Sequence, residues 1–154
     1  MPRTHRQRAP EGPFEIRIQD ITHEGVGVAR QADGKALFIP DALPGERVRY
    51  LRTQRRRDHD QGRLLEVLEP APERVAPRCP HFGYCGGCSL QHLASEAQLA
   101  LKQRWLLDSL ARIGGVQPER VLPALAGPVW HYRRRARLAV RHVVKKARVL
   151  VGFR

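Results

Sequence analysis

The chain has few aromatic residues, only three cysteines and no apolar run as long as a membrane span. Aromatic side chains make up 6% of its 154 residues, and the apolar share of 42% suits one or two small domains with modest cores. The first residues are basic, but no apolar segment follows them, so we expect no secretory signal. These absences predict a cytoplasmic protein that has no membrane partner.

Acidic residues are also scarce in this chain. There are 15 Asp and Glu against 28 Lys and Arg, which gives a net charge of +13. Such an excess attracts polyanions and makes copies of the chain repel one another, so we expect a monomer that binds nucleic acid. A high-GC genome could raise the Arg content, but it would not concentrate the charge. Here residues 129–154 contain no Asp or Glu.

The three cysteines, Cys79, Cys85 and Cys88, lie close together in the chain. An odd number in so short a segment does not form a disulfide framework and is typical of a metal site in a reducing compartment. Thiolate-rich sites hold zinc or iron–sulfur clusters. Zinc would take His92 as its fourth ligand, whereas a cubane cluster would need a fourth cysteine from beyond Arg154. The residues alone leave both groups open.

Residues 14–69 predict a small five-stranded barrel of the oligonucleotide-binding type. Apolar and polar residues alternate over 14–19, as in a half-buried strand, and turns with Gly and Pro separate further short apolar runs. A basic hairpin tip, residues 52–57, lies between the last two predicted strands. This tip carries three arginines that we assign to nucleic-acid binding: Arg55, Arg56 and Arg57.

A basic, flexible arm is predicted at residues 1–13, before the barrel segment. Residues 70–128 follow the barrel and contain a Pro-rich linker, the cysteine motif and one helix. The apolar spacing predicts this helix over about 96–113. Ser95 is its predicted N-cap, and Gln98 would complete a capping box.

Residues 129–154 predict a β-hairpin that begins a central sheet and is cut short at the end of the chain. Alternation along a long strand, 130–144, would place four arginines on one face. Like charges repel on such a face unless an anion, or carboxylates from missing sequence, covers them. We expect RNA phosphate to do so, and we assign four residues to RNA binding: Arg133, Arg135, Arg137 and Arg141.

The order of these features resembles that of a known family. Residues 21–29 (ITHEGVGVA) and 37–40 (LFIP) resemble a TRAM domain, an RNA-binding barrel of RNA-modifying enzymes. Residues 77–92 (PRCPHFGYCGGCSLQH) resemble the iron–sulfur motif of bacterial 23S ribosomal RNA (uracil-5-)-methyltransferases. Residues 132–138 (YRRRARL) and 151–154 (VGFR) resemble the start of the central domain of these enzymes.

The resemblance implies a [4Fe-4S] cluster on Cys79, Cys85 and Cys88, with a fourth cysteine beyond Arg154 and a packing role for His92. It also implies an enzyme that uses S-adenosylmethionine to form 5-methyluridine in 23S ribosomal RNA. The family's catalytic and S-adenosylmethionine-binding residues lie in a C-terminal domain. This chain has no cysteine outside the cluster and no Gly-rich fingerprint, so we expect no catalytic residue in it.

We therefore predict an α+β, β-rich chain that forms the N-terminal RNA-binding and cluster-binding portion of such a methyltransferase, inactive by itself. The alternative is a stand-alone zinc-binding and RNA-binding module without catalysis.

Overall fold

The computed structural model describes residues 11–153, and these divide into two compact units, 11–74 and 75–153. The predicted α+β, β-rich class is confirmed, while residues 1–10 of the predicted basic arm lie outside the described part. The strands are β1 (Glu11–Arg17), β2 (Asp20–Ile21), β3 (Val26–Arg30), β4 (Ala36–Pro40), β5 (Arg47–Arg55), β6 (His59–Glu69), β7 (Ala139–Val143) and β8 (Arg148–Gly152). The helix is α1 (Ser95–Arg112).

Strands β1 to β6 form one sheet in the first unit, in the order β1-β5-β6-β4-β3-β2. The pair β4 and β6 is parallel, and the other neighbours are antiparallel. The predicted closed five-stranded barrel differs from this arrangement, because six strands pair and the sheet is open at β1 and β2. The additional strand, β2, has two residues, which are too few to produce a period-two pattern in the sequence.

The apolar core of the first unit comes from β3, β4, β5 and the segments that adjoin them. Burial alternates along β3 and β4, as expected for strands with one face turned to a core. A glycine is required at position 62, since a Cβ there would lie 2.9 Å from the Tyr50 ring and 3.0 Å from Ile39. The core side chains are Ile18, Ala29, Leu37, Ile39, Ala42, Val48 and Tyr50.

A buried carboxylate, Glu46, joins the sheet to the proline-rich segment that follows β6. Its oxygens accept hydrogen bonds from the backbone N–H groups of Leu43 (2.8 Å) and Ala71 (3.3 Å) and from Arg74 Nε and Nη2. Burial alone would raise the pKa of Glu46, but the hydrogen bonds and charge of Arg74 hold it below its usual value. The predicted linker is therefore docked against the sheet as far as Arg74.

Glu46→Gln should lower the free energy of unfolding by about 3 kcal/mol near neutral pH, because Arg74 loses its counter-charge. The pKa of Glu46 is lower in the folded chain, so the ionised carboxylate stabilises the fold above its unfolded pKa. That contribution is lost as the pH falls through the folded value. Denaturant titrations from about pH 7 down to about pH 2 should show the wild type and the variant converging.

The matched control is Glu66→Gln, since Glu66 forms an exposed pair with Arg49 at 2.7 Å. This control should cost less than about 1 kcal/mol. A Glu46→Gln deficit that is equally large at acid and neutral pH would contradict the assigned ionisation.

Helix α1 in the second unit begins within one residue of its predicted start, but the predicted capping box is wrong. Ala94 is the N-cap, and Ser95 is already inside the helix. The Gln98 side chain instead donates hydrogen bonds to the backbone carbonyls of Leu90 (3.0 Å) and Leu93 (2.8 Å). Gln98 therefore fastens the first turn of the helix to the turn that follows the cysteine motif.

The predicted hairpin near the end of the chain is confirmed as the antiparallel pair β7 and β8. A 3₁₀ turn, Val144–Lys146, connects the strands, with Ala147 in the left-handed region at φ 48°. The first strand is much shorter than predicted, because residues 132–138 adopt no regular secondary structure. A positive φ of 59° at His131 turns the chain there, and among the described residues no strand pairs with 132–138.

No helix in the described range 11–153 is both long enough and apolar enough to cross a bilayer.

Candidate functional site

The cysteine motif forms a loop of consecutive turns from Cys79 to Cys88. The backbone N–H of Phe82 donates to the Cys79 carbonyl at 3.1 Å, and that of Cys85 donates to the His81 carbonyl at 2.9 Å. Cys79 and Cys85 are half-buried, Cys88 is exposed, and none of the three is in a disulfide. The winding therefore places three free thiols on one short loop.

Gln91 links the two ends of this loop. Its Oε1 accepts a hydrogen bond from the Cys79 backbone N–H at 3.2 Å, and its Nε2 donates to the Cys88 sulfur at 3.1 Å. Hydrogen bonds from amides to sulfur stabilise the thiolate form that metals require. Sequence reasoning missed this residue, because a glutamine three positions after a cysteine is too common to indicate a role.

His92, the alternative zinc ligand, is almost fully buried, with 1% of its surface exposed. Its ring centroid lies 5.2 Å from that of Phe82, and its carbonyl accepts a hydrogen bond from the Val75 N–H at 2.9 Å. Over residues 11–153, no three His, Cys, Asp or Glu side chains are grouped so as to hold a metal ion. The three sulfur donors fit a thiolate-bound group in chemistry.

The end of β8 packs against the cysteine loop. A Cβ on Gly152 would lie 3.6 Å from the Cys85 sulfur, and a Cβ on Gly87 would lie 2.6 Å from the Phe153 ring. Phe153 is half-buried against this loop. Phe153 therefore contacts the cysteine loop at Gly87, and the contact is possible because Gly87 has no side chain.

Gly87→Ala should push the Phe153 ring away from the cysteine loop, because the new methyl group overlaps it. We expect faster modification of the cysteines by a thiol reagent and a loss of about 1–3 kcal/mol in the free energy of unfolding. The matched control is Gly127→Ala, where a Cβ meets nothing within 4 Å. Equal modification rates in the two variants would show that Phe153 does not shield the loop.

The predicted basic tip of the first unit is smaller than expected. Strand β5 continues to Arg55 and β6 begins at His59, so the tip is 56–58. Arg55 lies 3.6 Å from the Glu11 carboxylate, and Arg56 donates a hydrogen bond to the side chain of Gln54. All three members of the predicted set, Arg55, Arg56 and Arg57, are exposed.

A ladder of ion pairs neutralises other arginines of the first unit. Hydrogen bonds from Arg47 and Arg17 lower the pKa of Glu69, which keeps this carboxylate ionised. Positive charge in this ladder is already compensated by neighbouring carboxylates. The pairs are Arg47 with Glu15 and Glu69, Arg49 with Glu15 and Glu66, and Arg17 with Glu69.

The four arginines assigned to one pleated face do not share a strand. Only one of them lies in β7; the other three lie in the irregular segment 132–138, so alternation does not align them. All four are exposed, and none forms an ion pair with a carboxylate of the described chain. The Arg133 guanidinium lies 5.8 Å from the Tyr132 ring and 5.2 Å from the Phe153 ring. The set is Arg133, Arg135, Arg137 and Arg141.

No protein-family model matches the chain. Curated proteins named 23S rRNA (uracil(1939)-C(5))-methyltransferase RlmD do match it. The protein from Alkalilimnicola ehrlichii is 58% identical over 149 residues, which cover 97% of this chain and 33% of that protein. The predicted resemblance is confirmed. The proteins of the same name from Xanthomonas oryzae pv. oryzae and Xylella fastidiosa are 55% identical over 151 residues and 56% identical over 143 residues. These matches cover 34% and 32% of the two proteins.

The chain thus spans about a third of the length of the curated RlmD proteins that it matches. A match over 97% of the chain includes both units, and therefore the sheet, the cysteine loop and helix α1.

Proposed function

We propose that this chain is the RNA-binding and cluster-binding portion of a 23S ribosomal RNA (uracil-5-)-methyltransferase. The observation that carries the proposal is 53–58% identity, over nearly the whole chain, to proteins that bear this name. The complete enzyme would use S-adenosylmethionine to form 5-methyluridine. The residues for that chemistry would belong to the larger part of the relatives that the match does not cover. The chain alone would act in the cytoplasm as a monomer and bind RNA without methylating it.

The distribution of charge supports RNA binding, mainly by the second unit. Residues 75–154 contain 14 Lys and Arg against three Asp and Glu, whereas residues 1–74 contain 14 against 12. The ion-pair ladder neutralises much of the positive charge of the sheet, so most of the excess positive charge lies in the second unit. Unpaired guanidinium groups on an exposed segment can replace the counterions of a phosphate backbone. Residues 14–69 would add a TRAM-like surface, with Arg55, Arg56 and Arg57 at its tip.

Replacing Arg133, Arg135 and Arg137 together with Ala should weaken binding of single-stranded RNA and flatten its salt dependence. The slope of log affinity against log salt should fall by roughly 0.7 for each phosphate group that the variant no longer neutralises. The measurement is a fluorescence-anisotropy titration of labelled RNA at several salt concentrations.

The matched control removes the same charge from the ion-pair ladder, through Arg17→Ala, Arg47→Ala and Arg49→Ala in one variant. Because these side chains already face carboxylates, this variant should keep a slope close to that of the wild type. Equal slopes for both triple variants would mean that net charge alone, and not segment 132–138, binds the RNA.

We further propose that Cys79, Cys85 and Cys88 hold a [4Fe-4S] cluster together with a fourth cysteine from outside this chain. Three features support a sulfur-rich site: the shared loop, the Gln91 hydrogen bond to the Cys88 sulfur, and the contact of Phe153 with the loop. The burial of His92 beside Phe82 favours a packing role for this histidine. The cluster would serve as a structural staple of the second unit. Zinc on the three cysteines and His92 is the second candidate.

Metal analysis of the full-length gene product, purified without oxygen, separates these groups. We expect iron with acid-labile sulfide, and His92→Ala should retain both while losing about 2–4 kcal/mol of stability from the vacated core position. Tyr84→Ala is the control, since Tyr84 is 95% exposed and should change neither metal content nor stability. One zinc without sulfide in the wild type, lost in His92→Ala, would overturn the cluster and establish the zinc site.

A further inference from the structure

A groove in the second unit lies beside the cysteine loop and is open to solvent. Its volume is about 670 Å³, within the range of about 300–1,000 Å³ that small-ligand sites occupy. Its walls are formed by the residues just before and after the cysteine loop, by the end of the loop itself, by the start of α1 and by the segment 129–133. The side chains that matter here are Arg78, Lys102, Trp130, Tyr132, Arg133 and Phe153.

Two guanidinium groups lie close to aromatic rings in this groove. The Arg78 guanidinium lies 4.8 Å from the centre of the Trp130 ring, and that of Arg133 lies 5.8 Å from the Tyr132 ring and 5.2 Å from the Phe153 ring. Trp130 is 37% exposed and Tyr132 is 62% exposed, so flat aromatic surface remains accessible. Unpaired bases stack on such rings, and adjacent cations contact the phosphates between them.

The arginines of this groove lack carboxylate partners in the described residues, unlike the paired arginines on the sheet of the first unit. Within the described residues, neither Arg78 nor Arg133 forms an ion pair with a carboxylate. The lining contains a single carboxylate, that of Glu96, which accepts a hydrogen bond from the Ser95 hydroxyl at 3.4 Å. Three cations with one acid and exposed aromatic rings are suited to an anionic, flat ligand.

We propose that this groove binds an unpaired segment of RNA, with a base stacked on Trp130 and phosphates contacted by Arg78, Arg133 and Lys102. This inference rests on the RNA binding proposed above, and it specifies that the bound RNA is unpaired. A base inside a duplex has both faces covered by its neighbours and cannot stack on the indole. The groove therefore selects single-stranded RNA, whereas exposed arginines elsewhere bind phosphates of either form.

Tryptophan fluorescence tests the groove directly, because the chain has two tryptophans. Trp105→Phe leaves Trp130 as the single reporter and serves as the matched control, since Trp105 lies on α1 outside the groove lining. Titration of the full chain with a single-stranded RNA of about 8 nucleotides should quench Trp130 emission, and a duplex of equal length should not. Trp130→Ala should weaken single-strand binding about tenfold or more, and duplex binding less than about twofold.

The two proposals fail in different ways. If single-stranded RNA binds without quenching and Trp130→Ala keeps full affinity, the groove is overturned and RNA binding stands. If the Trp105→Phe chain binds neither RNA at low salt, both proposals fail. If Trp130→Ala loses both forms equally, Trp130→Phe decides: recovery of single-strand affinity above duplex affinity supports stacking, and equal recovery of both assigns Trp130 a structural role.

Discussion

The placement of a small number of carboxylates determines which surfaces of this chain remain positive. The chain has 15 acidic residues and 28 basic ones. Each Asp or Glu that pairs with an arginine neutralises its charge, so that this arginine is less available to bind an external anion. The first unit concentrates its carboxylates beside Arg17, Arg47 and Arg49. The second unit has few carboxylates, and two of its guanidinium groups, those of Arg78 and Arg133, lie against aromatic rings. The arginine charges are therefore largely neutralised on the sheet of the first unit and largely unpaired in the described part of the second unit.

Polar contacts connect segments that the sequence would treat as separate. Glu46 collects hydrogen bonds from its own turn and from Arg74, and so extends the first unit into a proline-rich stretch. In the second unit, Gln91 joins the two ends of the cysteine loop, and Gln98 fastens α1 to the turn that follows it. For Glu46, which is fully buried, these hydrogen bonds satisfy a carboxylate that would otherwise be costly to bury.

The second unit brings its chemically distinctive residues together. The cysteine loop, the end of β8 and the groove with Trp130 share neighbours, because Phe153 contacts Gly87 and lies near Arg133. A cluster on the cysteines would therefore stabilise the loop that also borders the proposed RNA groove. If the proposed function holds, the metal group would support the geometry of RNA binding, and the chemistry of methyl transfer would lie in the part of the relatives that this chain does not match.

The sequence by itself determined the class of fold, the hairpin near the end of the chain, the bounds of α1 and the cysteine motif. These follow from local periods, glycine and proline turns, and close spacing, all of which are visible within about ten residues. The sequence did not determine how the six strands pair into an open sheet or how short β7 is. An alternating pattern does not specify which strand is the pairing partner. Only the tertiary structure decided which arginines are neutralised and that Gln91 and Trp130 border the site. The carboxylates that pair with these arginines, and the Arg78 guanidinium beside Trp130, are distant along the chain, while Gln91 meets Cys79 only because the cysteine loop winds back.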